Sequence, residues 1–179
     1  MAKWLININH SSAAFEVRHM MVSWVHGLFG KVAGTLKFDP QNVAASIVEV
    51  EIDAASIHTG VEQRDNHLKS PDFLEVEQYP SITFKSTGVE SGGLDQALVH
   101  GDLTIRGITH PVTLEVRWAG PAHFDDEGKL YTSFGFRATT RINREDFGMV
   151  FNLELEHGGF MVGRQVYLTL NAEVDLVEE

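Results

Sequence analysis

Apolar and polar residues alternate with a period of two along most of this chain. Phe15, Val17 and His19 share one face of such a run, with Glu16 and Arg18 opposite. After a turn at Gly27, Val32, Gly34, Leu36 and Phe38 oppose Lys31, Thr35 and Lys37, and Asp39-Pro40 stops the run. Ser46, Val48, Val50 and Ile52 alternate with Ile47, Glu49, Glu51 and Asp53, and Ile82, Phe84 and Ser86 with Thr83 and Lys85. Beyond Ser91-Gly92-Gly93, Val99, Gly101, Leu103 and Ile105 oppose His100, Asp102, Thr104 and Arg106. Gly107 and Pro111 bracket a turn into Val112, Leu114, Val116 and Trp118, and Asp125-Asp126-Glu127-Gly128 reads as a hairpin tip. Phe134, Phe136 and Ala138 alternate with Ser133, Gly135, Arg137 and Thr139; Val166, Leu168, Leu170, Ala172 and Val174 alternate with Tyr167, Thr169, Asn171 and Glu173. This pattern predicts eight antiparallel strands with one wetted face each. Closing them into a barrel removes the exposed edges and gathers the eight apolar faces into one interior.

One stretch breaks the rhythm. Thr59 to Tyr79, followed by Pro80, begins with a capping-box spacing, Thr59 to Glu62, and Pro71 forces Ser70 out of helical geometry. A helix over about residues 60–69 follows. Ten residues are too few for a helix to stand alone, so Leu68, Phe73 and Leu74 are expected to turn inward and make the segment a lid over one end of the barrel. A second break, Arg141 to Arg164, reads as a long, partly helical excursion near one mouth. The fold class is therefore all-β: an eight-stranded antiparallel barrel, a short helical lid and one long loop, forming a single domain over residues 1–179.

The inward faces include six small residues, Gly34, Ser46, Ser86, Gly101, Ala138 and Ala172. They leave room that Phe15, Phe38, Phe84, Trp118, Phe134 and Phe136 either fill or line, and the pattern leaves both open. If Gly101 borders empty space, Gly101→Leu fills it at little cost in stability.

Composition narrows the function. With 14 basic and 25 acidic residues the net charge is −11, which disfavours nucleic acid or an anionic membrane as principal partner. There is no cysteine, hence no disulfide or thiolate chemistry. The start, Met-Ala-Lys-Trp-Leu-Ile-Asn, is not a secretory signal, so the chain as given reads as cytoplasmic. No Gly-x-Ser-x-Gly elbow, P-loop or His-Glu-x-x-His is present. The nine histidines are scattered without metal-ligand spacing, so no metal and no catalytic residue is expected.

Several motifs occur together and in a familiar order: Phe15-Glu-Val-Arg-His19, Ser56-Ile-His-Thr59, Arg64-Asp-Asn-His-Leu-Lys-Ser70 with Asp72-Phe73, Tyr79-Pro80, Gly101-Asp-Leu-Thr-Ile-Arg-Gly107 and Asn143-Arg-Glu-Asp-Phe-Gly148. With these motifs the chain resembles the YceI-like polyisoprenoid-binding family over nearly its whole length. It departs in having Leu74 after Phe73, where a second Phe is common, and in lacking the signal peptide of many members. The resemblance implies a lipocalin-like barrel enclosing a long isoprenoid chain, such as a quinone or polyprenyl phosphate, with no other cofactor and a homodimeric assembly. The residues expected to line that site are Phe15, Val17, His19, Val32, Leu36, Phe38, Leu68, Phe73, Phe84, Leu103, Ile105, Leu114, Val116, Phe134, Phe136, Phe147 and Leu168. His19, Arg64, His67, Asn143 and Arg144 are the polar candidates for the ends, although Arg64 and Arg144 have Asp65 and Asp146 close by as salt-bridge partners. Net charge favours a neutral, quinone-like head over a pyrophosphate. The competing readings are a structural or stress-related interaction protein with a filled core, and an enzyme acting on a prenyl lipid.

Overall fold

The structure, a computed structural model, describes residues 1–177; the last two residues of the expected domain lie outside the described residues. The described residues form eleven strands: β1 (Lys3–Ile6), β2 (Ser12–His19), β3 (Ser23–Phe29), β4 (Val32–Lys37), β5 (Ile47–Asp53), β6 (Ile57–His58), β7 (Ser81–Ser91), β8 (Gln96–Ile105), β9 (Ile108–Asp126), β10 (Lys129–Asn143) and β11 (Val162–Leu176). All their pairings are antiparallel. The ring runs β1-β4-β5-β7-β8-β9-β10-β11 and closes where Trp4 pairs with Leu176 and Ile6 with Val174. It is an eight-stranded barrel, as the alternation predicts.

Membership of the ring differs from the sequence pattern in one place. Strand β1, too short to show a period, is in the ring because the indole N–H of Trp4 donates to the Phe38 carbonyl and its ring is buried among aromatics. Strand β2 lies beside the other half of β11, with Phe15 opposite Leu168, and carries β3 and β6 outward as a flap. Gly27 is not a turn. It sits inside β3 directly across from Phe15, whose ring lies where a Gly27 Cβ would be, 2.4 Å away. The glycine interrupts the apolar alternation and so reads as punctuation, but it is there to admit an aromatic ring from the next strand.

The single α-helix among the described residues, α1 (Glu62–Lys69), begins two residues later than expected. The Thr59–Glu62 capping box does not form. Instead the Asp65 carboxylate accepts the Thr59 N–H at 2.8 Å and its hydroxyl at 2.6 Å, while Arg64 donates to the Thr59 hydroxyl and carbonyl. The cap is thus inverted: a side chain inside the helix reaches back for the residue before it. After the helix, Glu75 receives Arg106 from the β8–β9 turn at 3.1 Å, and the same guanidinium donates to the Gly148 carbonyl. One arginine therefore ties both the lid and the long loop to the barrel. That loop contains a single 3-10 turn, Arg144–Phe147, capped by the Asn143 side chain.

Candidate functional site

Every inward face predicted by alternation does point inward, yet many of its residues keep accessible surface. Val17, Val48, Ile52, Val112, Leu114, Val116, Val166, Leu168 and Leu170 are only partly buried although they face the barrel axis. The surface they expose belongs to an internal cavity of about 530 Å³. That volume is within the ordinary range for small-molecule sites.

Its two ends differ. Phe38, Trp118 and Phe136 form one end, with Phe134 and Trp4 edge-on behind them at centroid separations of 5.1–5.5 Å. From there the lining runs along β10 through Ala138, Thr140 and Ile142 to Arg144. Eight residues from Phe136 to Arg144 span about 26 Å of strand, or about 20 Å along a barrel axis at the usual tilt. At the second end the lining comes from β2 and β3, from α1 and Phe73, and from the long loop through Met149, Phe151, Leu153 and Met161.

All the charged or titratable lining residues belong to that second group: Arg18, His19, Arg64, His67 and Arg144. Among the described residues no aspartate or glutamate lines the cavity, although the chain is strongly acidic overall. Arg144 is 2% exposed and does not pair with Asp146; its guanidinium donates to the carbonyls of Gly163, Met149 and Val162. Burial lowers its pKa from the ordinary arginine value, with Glu145 opposing and Arg164 reinforcing the shift. Arg64 likewise does not pair with Asp65, because Thr59 holds it. His67 bonds Asp72 at 2.8 Å and stands edge-on to Phe73 and Phe151. Asn143 is occupied as the cap of the 3-10 turn.

Fourteen of the seventeen expected lining residues border the cavity. Val32, Phe134 and Phe147 do not. Val32 is fully buried in the side-chain cluster, Phe134 stands behind Phe38 and Trp4, and Phe147 packs on His110. Gly101 borders no spare room either: a Cβ there would meet the Phe84 ring at 2.4 Å and the Lys85 carbonyl at 2.5 Å. Ser46, Ala138 and Ala172 are the predicted small residues that do face the cavity; Ser86 instead accepts the Val48 N–H. The pattern missed Val25 and Phe29 because Gly27 hid their strand. It missed Phe151, Leu153 and Met161 because they lie in an aperiodic loop. Among the described residues no group of three metal-ligating side chains is arranged to hold an ion.

A closed antiparallel barrel with a hollow apolar interior and a basic end defines a lipocalin-like class of barrel. The YceI-like domain model matches residues 4–174, and the chain belongs to that family. It is 40% identical to protein YceI of Escherichia coli O157:H7 over 144 residues, 80% of this chain and 73% of that one. It is 38% identical to a UPF0312 protein of Vibrio cholerae over 140 residues, 78% of this chain and 72% of the relative. Among solved structures it is similar to Burkholderia cenocepacia BcnA (TM-score 0.79, 23% identity, 94% of this chain and 98% of that one). A YCEI protein of Campylobacter jejuni gives a TM-score of 0.72 at 26% identity, covering 90% of each chain. A polyisoprenoid binding domain from Saccharophagus degradans, implicated in plant cell wall breakdown, gives 0.69 at 13% identity over 99% of this chain and all of that one.

Proposed function

We propose that this protein binds and carries a long isoprenoid-type lipid, chain inward toward the aromatic end and head group at the basic end, without chemical change. The observation that carries this reading is the continuous apolar cavity whose titratable side chains, among the described residues, are all basic and gathered at one end. Moving a five-carbon isoprenoid unit out of water gains on the order of 2–3 kcal/mol at ~25 cal/mol per Å². Several units offset the cost of ordering the chain.

Net charge favours a neutral head group, but the lining favours an electron-rich one. Screening limits the reach of the −11 charge to about 8 Å at physiological salt. The arginines act inside that distance, in a low-dielectric setting. A quinone carbonyl can accept from them, and a phosphate can do so with charge assistance. Organic extraction of the purified protein followed by mass spectrometry tests the reading: an apolar chain with an oxygen-rich head is expected, and a barrel that yields no such molecule and takes up none overturns it. Competition between a quinone and a prenyl pyrophosphate of equal chain length, across ionic strengths, separates the heads.

A catalytic reading has one observation in its favour, the His67–Asp72 pair at the cavity end. Among the described residues no hydroxyl of the lining is hydrogen-bonded to that imidazole, so no side-chain nucleophile is poised on the pair. Unchanged recovery of a bound prenyl lipid after prolonged incubation is expected.

A further inference from the structure

The β2–β3 hairpin ends in His19-Met20-Met21-Val22, and Val22 N–H closes the turn on the His19 carbonyl at 3.1 Å. Met20 and Met21 both have positive φ, 50° and 61°. Two consecutive left-handed residues are the signature of a tight hairpin turn that ordinarily takes Asn-Gly. Methionine gains nothing from that backbone, so something other than turn formation keeps it there.

What the two methionines do is face solvent. Val22 is 79% exposed, Met21 53% and Leu153 of the long loop 50%. The hairpin and loop are held together: Met20 N–H donates to the Met161 carbonyl at 2.8 Å, and Met21 lies over Gly159. Leu153 and Met161 also line the cavity, so this rim borders its interior. Beside it Trp24, half exposed, lies under the Arg18 guanidinium and edge-on to Tyr167, and Phe160 lies under Arg164. Aromatic rings paired with arginines are the side chains that settle at a bilayer's headgroup level. Charges around this rim are mixed. The segments that form it carry Arg18, Arg164, His19 and His157 as well as Glu16, Glu145, Glu154 and Glu156, and Arg164 is paired with Glu145 at 3.2 Å.

We infer that this rim docks on the surface of a lipid bilayer, inserting the hairpin tip so that the cavity opens toward the acyl region and ligand passes without crossing water. The inference rests on the cavity holding a lipid. Because no sign of charge dominates, attachment is apolar and has no need of anionic lipid.

The test uses phosphatidylcholine vesicles and two variants, Met20→Asn/Met21→Gly and Met21→Asp/Val22→Asp. Wild type is expected to pellet with vesicles and to remain bound in high salt. Loss of two inserted apolar side chains should weaken partitioning roughly tenfold or more in both variants. Uptake of a long-chain quinone from vesicles should slow by the same factor, while its uptake from cyclodextrin stays unchanged. The Asn/Gly variant should also unfold at a higher temperature than wild type, because it relieves the backbone. Wild type that fails to pellet, or variants that pellet equally well, overturns the docking. So does a wild-type dimer that both variants dissociate, since the rim would then be a self-association surface. Failed uptake from cyclodextrin by wild type counts against the cavity reading alone; the pelleting result then still decides the docking.

Discussion

Asp65 shows how one buried carboxylate can hold a functional element in place. Burial alone would raise its pKa. Together the two hydrogen bonds from Thr59 and the nearby charges of His58 and Lys69 outweigh that, so the carboxyl is held below its ordinary value. A depressed folded-state pKa means stability that is complete above the unfolded value near 3.9 and is lost as pH falls through the folded one. Asp65→Asn should therefore cost about 1–3 kcal/mol at neutral pH and flatten the acid limb of the stability curve, as read by urea denaturation at a series of pH values below about 5. Gly101 makes a second point at this scale. With Phe84 across it, Gly101→Leu should destabilise by about 3 kcal/mol rather than quietly fill a void. Ala138→Leu is the cavity-filling change. It should weaken binding of a long isoprenoid chain while moving stability by only about 1 kcal/mol, measured on the same denaturation curve and by quinone titration.

At the scale of elements, the lid is held by polar contacts and seated by apolar ones. Helix α1 has few apolar residues, and only Asp65 is buried within it. Phe73, which follows the helix, is 7% exposed and packs on Phe151, with the Arg144 guanidinium 6.0 Å above its ring. Phe73→Ser would thus remove core packing as well as a gate, and is expected to cost about 3–5 kcal/mol. Leu68→Ser separates the two roles. It borders the cavity and is only partly buried, so ligand release should accelerate in stopped-flow displacement while the barrel stays folded. Arg106 joins this lid to the long loop through Glu75 and Gly148. Arg106→Ala should raise hydrogen exchange in both segments together, since neither keeps its tie to the β8–β9 turn.

For the whole molecule, the central fact is an interior too wide for its own side chains. Eight strands place the walls at a distance that aromatic residues can close locally but not along the full length. The five aromatic rings do so at one end; aliphatic residues in the middle do not. The opposite end is assembled from three separate pieces, the β2–β3 flap, α1 with Phe73, and the long loop. Consequently the two ends are not equivalent: one is closed by packed aromatic rings, and the other offers arginines, histidines and an exposed apolar rim.

The alternation of side chains was legible in the chain because it is a local property. Residue parity within a strand decides which face a side chain takes, whatever the neighbours, and so the inward faces, the barrel class and most of the apolar lining followed from pattern alone. The helix was legible for a similar reason, since Pro71 ends it locally. What folding decided depended on neighbours distant in sequence. Gly27 and Gly101 are thin because Phe15 and Phe84 lie across them from other strands. Arg144 is satisfied by carbonyls of residues 149, 162 and 163 rather than by the adjacent acids. Lys3–Ile6 became a ring strand only because β4 and β11 were there to receive it. The gathering of five basic side chains at one end of an acidic protein's cavity is likewise invisible to net charge, which sums over positions, whereas a ligand meets them one end at a time.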